Sequence, residues 1–222
     1  MIYGVISDMD GVILDTEKLY VRFWCEAARH YGFPMEREHA LAIRSLARPY
    51  AIERLRGFFG ESFDYDTVRS KRVELMDAYV AANGIAPKDG AAELLEYLKA
   101  NGYRVALATA TPVDRAKDYL SRVGLLRYFD EVISARMVKN GKPAPDIYLL
   151  AAERLGISPQ DCLALEDSVN GVRSASAAGC KTVLVPDLDD PREALAPLLY
   201  DTANGLTDVI RILNRDTSER HD

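Results

Sequence analysis

Four short apolar runs, each followed within two residues by polar or acidic ones, limit this chain more than any other feature of its sequence. They lie at residues 2–7, 103–108, 162–165 and 182–185. Near-continuous apolar runs of this length suit strands of a parallel sheet that is covered on both faces. Segments with helical spacing stand between them, at 91–100, 113–123, 146–155 and 170–178. Gly102, Gly124, Gly156 and Gly179 follow these segments, where a helix end accepts a left-handed residue. Strand and helix in alternation predict an α/β fold with a doubly wound, Rossmann-like parallel sheet.

The stretch 17–87 breaks the alternation. Leu19, Phe23, Trp24, Ala27 and Tyr31 recur at helical spacing, as do Val68, Val73, Met76 and Tyr79, and no convincing strand occurs among them. About seventy residues is far longer than an ordinary crossover between neighbouring strands. The expected organisation is therefore an α/β core made of residues 1–16 and 88–222, with residues 17–87 inserted as a helical cap. The charged tail after Leu213 is expected to fray.

Composition narrows the function classes. With 48% hydrophobic and 28% charged residues the chain can bury an ordinary globular core, and its net charge of −6 gives no general attraction for nucleic acid or an anionic membrane. Cys25, Cys162 and Cys180 are widely spaced and form no CxxC pair, which favours free thiols in a reducing compartment. The first residues lack the basic start and long apolar run of a signal peptide, and no run reaches membrane-spanning length. A cytoplasmic protein is expected, as a monomer or small homo-oligomer. The three histidines, His30, His39 and His221, are scattered away from every strand end and support no histidine-based chemistry.

In parallel sheets, ligands bind beyond the carboxyl ends of the strands. The first run delivers Asp8-Met9-Asp10-Gly11 there, the second Thr109-Ala110-Thr111, and the third Glu166-Asp167-Ser168, with Lys142 in the loop Gly141-Lys142-Pro143. Singly, each has an ordinary explanation: an aspartate after a strand forms turns or caps helices, Thr109 packs or caps, and Lys142 is a solvated loop residue. Together they are a different matter. Four converging carboxylates repel one another unless a hard cation neutralises them, and oxygen ligands of this kind suit Mg2+.

These residues also carry a family resemblance. Asp8-Met9-Asp10-Gly11-Val12-Ile13-Leu14-Asp15-Thr16-Glu17 resembles the first motif of the haloacid dehalogenase-like superfamily, in its subclass with a helical cap after the first strand. Thr109 matches the second motif, Lys142-Pro143-Ala144-Pro145-Asp146 the third, and Glu166-Asp167-Ser168-Val169-Asn170-Gly171 the fourth, all in the family order. The resemblance implies a phosphotransferase in which Asp8 attacks phosphorus and becomes an aspartyl-phosphate that water hydrolyses. Asp10 would serve as acid and base and lend its carbonyl to Mg2+. Asp8 and Asp167 would be carboxylate ligands, Glu166 a ligand or the partner of a bound water. Lys142 and Thr109 would meet the phosphoryl charge, with Met9, Ala110 and Thr111 beside it. Gly11 would let the amides of Met9 and Asp10 turn toward phosphate.

Within the superfamily, Asp10 argues against the haloacid dehalogenases proper, which lack that second aspartate and the metal. The Lys-Pro-Ala-Pro-Asp-Ile and Glu-Asp-Ser segments, with Arg48, resemble the β-phosphoglucomutase family. There a histidine follows the first motif, whereas Tyr20 stands here, and the flanking segments look more like sugar- and nucleoside-monophosphate phosphatases. The expected partner is a small phosphorylated metabolite chosen by the cap. Arg44, Arg48, Lys71 and Arg72 are its basic candidates, and Arg48 and Lys71 best match positions that face substrate. A receiver module of signalling systems also gathers acids, a threonine and a lysine around a phosphorylated aspartate, but it is shorter and has no insertion after its first strand. A nucleotide-binding protein would need a glycine-rich phosphate loop, and neither GxGxxG nor GxxxxGK[ST] occurs.

Overall fold

The structure, a computed structural model, describes residues 1–218. Six parallel strands form one sheet: β1 (Gly4–Ser7), β2 (Arg104–Thr109), β3 (Glu131–Ser134), β4 (Cys162–Glu166), β5 (Lys181–Leu184) and β6 (Asp201–Thr202), in the order β3-β2-β1-β4-β5-β6. The α/β expectation holds. β3 and β6 were not among the four runs read from the sequence; both are edge strands whose side chains are partly exposed, so neither reads as an apolar run.

Helices cover both faces, and the period of two along each strand explains which residues meet them. Val5, Val105, Leu107, Leu163, Leu165 and Val183 pack on one side with α5 (Ala91–Ala100), α6 (Val113–Arg122) and α10 (Leu206–Ser218). Ile6, Ala106, Ala108 and Ala164 face the other way, where the three alanines leave room for α7 (Asp146–Leu155), which packs there through Ile147, Tyr148 and Ala151. On the same side α8 (Val169–Ala177) contributes Ala175, while the short α9 (Arg192–Leu195) buries Leu195 in a smaller cluster.

Between β1 and α5 the chain is helical: α1 (Glu17–His30), α2 (Arg37–Leu41), α3 (Arg48–Phe59) and α4 (Tyr65–Asn83). They share a cluster of their own around Trp24, Met35, Leu55, Phe63 and Val68, while Leu19, Phe23, Met76 and Val80 join the core of the sheet. Tyr31, expected on the apolar stripe of α1, instead lies just past its end and is exposed.

The tail corrects another expectation. As far as Ser218 it does not fray after Leu213, because α10 continues there and buried Asp216 accepts the Ile2 N–H at 2.9 Å and a bond from Lys181 Nζ at 3.0 Å; residues 219–222 lie outside the described residues. His221 lies outside the described residues. All three cysteines are buried free thiols, and among the described residues no helix is long and apolar enough to cross a membrane.

Candidate active site

Register sets the site. Ser7 lies level with Leu107 and Leu165, and Asp8 N–H donates to the Leu165 carbonyl at 2.9 Å, so the first residues beyond β1, β2 and β4 share one edge. The chain then turns tightly: Ile13 and Leu14 N–H both donate to the Met9 carbonyl, and Gly11 N–H to that of Leu14. Gly11 has φ of 83°, and a Cβ there would lie 2.2 Å from Asp167 Oδ2, so glycine alone lets the turn close on that carboxylate. Met9 is fully buried in the core, which leaves only its backbone for the site.

Lys142, 2% exposed, reaches into this edge from the loop before α7. Its Nζ donates to Asp8 Oδ1 at 2.7 Å, to Glu166 Oε1 at 2.5 Å and to the Ala108 carbonyl at 3.1 Å. Burial works against its charge, but Asp8 and Glu166 prevail and hold the ammonium above its usual range. Tyr148 donates a second bond to Glu166 Oε1 at 2.6 Å. Burial, with Glu166 and Asp10 adding and Lys142 opposing, pushes the Asp8 carboxyl up to about 7.

Asp10 is held differently. Thr16 Oγ1 donates to one of its oxygens at 2.5 Å and Thr111 Oγ1 to the other at 2.9 Å, while burial raises its pKa against both. Thr111 Oγ1 lies 3.2 Å from the Tyr20 hydroxyl, which joins α1 to the acid. Thr109 is buried behind them and accepts the Thr111 N–H at 3.0 Å, so its own hydroxyl hydrogen is free to donate elsewhere.

Asp8, Glu166 and Asp167 each offer an oxygen within 4.8 Å of the others. Both oxygens of Asp167 are buried without a hydrogen-bond partner, as is Asp187 Oδ2. Burial, then Asp8, Glu166 and Asp187, hold Asp167 well above the usual carboxylate range, although Arg44 pulls the other way. Unpartnered buried carboxylate oxygens are rare because each costs its full desolvation. A hard divalent cation fits this donor set. Glu166 is the least available of the three, since its oxygens already receive Lys142, Tyr148 and Ser168.

Above this edge lies a cavity of about 650 Å³. Asp8, Asp10, Glu17, Ala110 and Thr111 form its floor, and the helices α1, α3 and α4 supply its roof. Ala47 N–H donates to the Lys142 carbonyl at 2.9 Å, tying the start of α3 to the loop that bears the lysine. Arg48 lines the cavity while pairing with Asp66. Lys71 does not line it, and its ammonium pairs with Glu74. One helical step turns a side chain by about 100°, and it is Arg72, with Arg69 nearly a turn before it, that α4 presents inward. Arg44 lies over the carboxylates, donating to the Asp167 carbonyl at 2.9 Å and to Asp189 at 2.5 Å.

The family model described as haloacid dehalogenase-like hydrolase matches residues 2–179. The chain belongs to the haloacid dehalogenase-like hydrolases. This hydrolase is 36% identical over 198 residues to the phosphorylated carbohydrates phosphatase of Thermotoga maritima, a match covering 86% of this chain and 89% of that one. It is 31% identical to the fructose-1-phosphate phosphatase of Escherichia coli, over 81% of this chain and 94% of the relative. Among solved structures, a β-phosphoglucomutase from Clostridium difficile superposes with a TM-score of 0.81 at 25% identity, covering 99% of each chain.

Several groups at the centre of this hydrolase were not singled out from its sequence. Asp167 adds to the upward shift of the Glu17 carboxyl that burial begins, and Asp187 adds to that of Asp167, with Asp187 Oδ2 and Asp167 Oδ2 lying 3.1 and 2.2 Å from the Cβ position at Gly11. Tyr148 is an aromatic residue on the buried stripe of α7, a position that reads as packing until Glu166 is seen beneath it.

Proposed function

We propose that this hydrolase is a magnesium-dependent phosphatase of small phosphorylated metabolites, sugar or nucleoside monophosphates, that works through an aspartyl-phosphate on Asp8. Residues 17–87 act as the cap that closes over residues 1–16 and 88–222. One observation carries the reading: two carboxylates two residues apart share a cavity floor, Asp8 against an ammonium and Asp10 against two hydroxyls. That division suits one as nucleophile and the other as acid and base.

An Asp8 oxygen forms the new bond to phosphorus while the bond to the ester oxygen breaks. Asp10, its pKa raised by burial, hands a proton to that departing oxygen and then accepts one from the water that attacks the aspartyl-phosphate. Inorganic phosphate leaves and Asp8 is restored. Lys142 keeps Asp8 in place and meets charge on the phosphoryl oxygens, helped by the Thr109 hydroxyl and the amides of Met9, Asp10 and Ala110. Asp8, Asp167, Glu166 and the Asp10 carbonyl would hold Mg2+, which supplies positive charge against the phosphoryl group. Arg48 meets the rest of the substrate from the cap.

A second reading, a phosphosugar mutase, is favoured by the superposition on the β-phosphoglucomutase. A mutase must keep its aspartyl-phosphate from water until the sugar has turned over. Here the residue that reaches the acid/base from the cap is Tyr20, whose pKa is raised by burial and then by Asp10, so that it stays neutral and cannot charge-gate Asp10. Hydrolysis is expected to outrun isomerisation.

The deciding experiment incubates the protein with a panel of sugar, polyol and nucleoside monophosphates and measures released phosphate beside a coupled assay for glucose 6-phosphate made from β-glucose 1-phosphate. Release that needs Mg2+ and stops on chelation is expected. Isomerisation faster than release, or full release in chelated protein, refutes the assignment. The carboxylate cluster adds a stability prediction. In chelator, Asp167→Asn is expected to raise Tm, because it removes a buried charge whose oxygens accept no hydrogen bond and which has Arg44 at 3.8 Å set against Asp8, Glu166 and Asp187; the effect is about 2–4 °C for each kcal/mol relieved. The same variant loses the Tm gain that Mg2+ confers on the parent. Thermal unfolding with and without Mg2+ checks both, and a lowered Tm in chelator contradicts the cation reading of these oxygens.

A further inference from the structure

We propose that the cavity contains an anion subsite centred on Arg72, which takes a second oxyanion of the substrate, a carboxylate or phosphate at the end remote from the ester that Asp8 attacks. This rests on the assignment of Asp8 and Asp10 to phosphoryl chemistry, and it adds what the rest of the substrate must carry.

Arg72 lines the cavity and is only 6% exposed. Its Nε has no hydrogen-bond partner, and among the described residues no acidic side chain lies within ion-pair distance of its guanidinium. The group lies over the rings of Tyr20 and Trp24, 4.9 and 5.5 Å from their centroids. Those faces hold a cation by its charge and offer nothing to its in-plane N–H groups. Burial, then repulsion from Arg69 and Arg115, lowers its pKa. A buried guanidinium in this state is costly, and a cavity wall that retains one is matched to something absent from the protein itself.

The neighbouring cations sharpen the point. Arg44 and Arg48, the other cap arginines of the sequence reading, pair with Asp189 and Asp66, and Arg115 pairs with Asp77 at 3.0 Å. Arg69 lines the same wall with no acidic partner among the described residues. Around the cavity seven Arg and Lys side chains face three carboxylates, in a chain whose net charge is −6. A sugar hydroxyl would be served by neutral donors and acceptors. The edge formed by Nε and one Nη fits two oxygens of a carboxylate or phosphate.

Position gives the substrate its length. Asp10 bonds Thr111, Thr111 meets the Tyr20 hydroxyl, and Arg72 covers the Tyr20 ring, so one aromatic side chain separates the acid/base from the anion site. A short carbon chain with its phosphoester at Asp8 runs past Tyr20 and ends at Arg72.

Calorimetry on Asp8→Asn protein with Mg2+ tests this with three ligands on one six-carbon chain: glucitol 6-phosphate, gluconate 6-phosphate and glucitol 1,6-bisphosphate. At least one doubly anionic ligand is expected to bind tenfold or more tightly than glucitol 6-phosphate, and which one does so tells carboxylate from phosphate. Arg72→Met in the same background should bring the ratio within about threefold, since a single well-made charged contact accounts for a tenfold effect. Arg72→Lys, which keeps the charge and loses the fork, should fall between. Arg72→Met should also raise Tm in the absence of ligand, because the unmatched charge is gone. Equal affinities for the three ligands in the parent, or an equal loss for all three in Arg72→Met, overturn the subsite. Phosphate release from the same compounds by the unsubstituted protein is scored separately: discrimination without release leaves the subsite standing and removes the phosphatase, and release without discrimination does the reverse.

Discussion

Asp8→Asn is expected to lower phosphate release by about four orders of magnitude or more, the scale seen when a residue acting with its partners as one catalytic unit is removed. The fold should persist. The amide keeps the shape of the carboxyl, and Lys142 keeps its 2.5 Å bond to Glu166 and its bond to the Ala108 carbonyl. Electrostatically the change is close to neutral: Asp8 loses an ammonium at 2.7 Å, but burial, Glu166 and Asp10 all oppose its charge. Unfolding curves in chelator should therefore nearly overlay those of the parent, while an amide cannot form the phosphoryl bond. Release within tenfold of the parent from a variant with normal circular dichroism would falsify Asp8 as nucleophile.

The grouping of Asp8, Asp10, Thr109, Glu166 and Asp167 was legible because of a property of parallel sheets, whereas Lys142, in the loop before α7, was legible only from the third motif. β1, β2 and β4 are buried on both faces, so each reads as an apolar run with a visible end. Register then levels those ends, with Ser7 beside both Leu107 and Leu165. Once the strand ends are read, the edge they share follows.

Roles that depend on how two elements roll against each other were not legible. Lys71 and Arg72 are adjacent cations on α4, and nothing local says which one turns inward; the packing of α4 on α1 puts Arg72 over Tyr20 and Trp24 and leaves Lys71 with Glu74. The edge strand β3 and the two-residue β6 stayed hidden for a related reason: half-exposed strands carry mixed residues, and their sheet pairing is a long-range fact. The tail after Leu213 looked solvated from its charges. Asp216 is buried among them because the first strand brings the Ile2 N–H to it from the far end of the chain.

Lys142→Met is expected to cost both activity and stability, and the pattern of its rescue tells the two apart. Lys142 is the only cation bonded to Glu166 among the described residues, and Glu166 cannot swing away to water. It is 0% exposed, bonded to Tyr148, and pressed so closely by α8 that a Cβ on Gly171 would lie 1.9 Å from its Oε2. Removing the ammonium strands this charge, and breaking a buried ion pair from one side costs about 3–5 kcal/mol. For a chain of this size that is a fall in Tm of about 10 °C. Adding Glu166→Gln removes the stranded charge, so the double variant should regain most of the loss although it carries one substitution more. Its stability should then differ from the sum of the single effects by about 2 kcal/mol, well beyond the few tenths expected of independent sites. Turnover should not return, since neither methionine nor glutamine meets the phosphoryl charge or restrains Asp8. Urea unfolding of chelated samples of the parent, both single variants and the double, with phosphate release measured on the same four proteins in Mg2+, provides the check. Additive losses of stability, or a double variant that recovers turnover together with fold, would show that Lys142 is not the counterion of this pair.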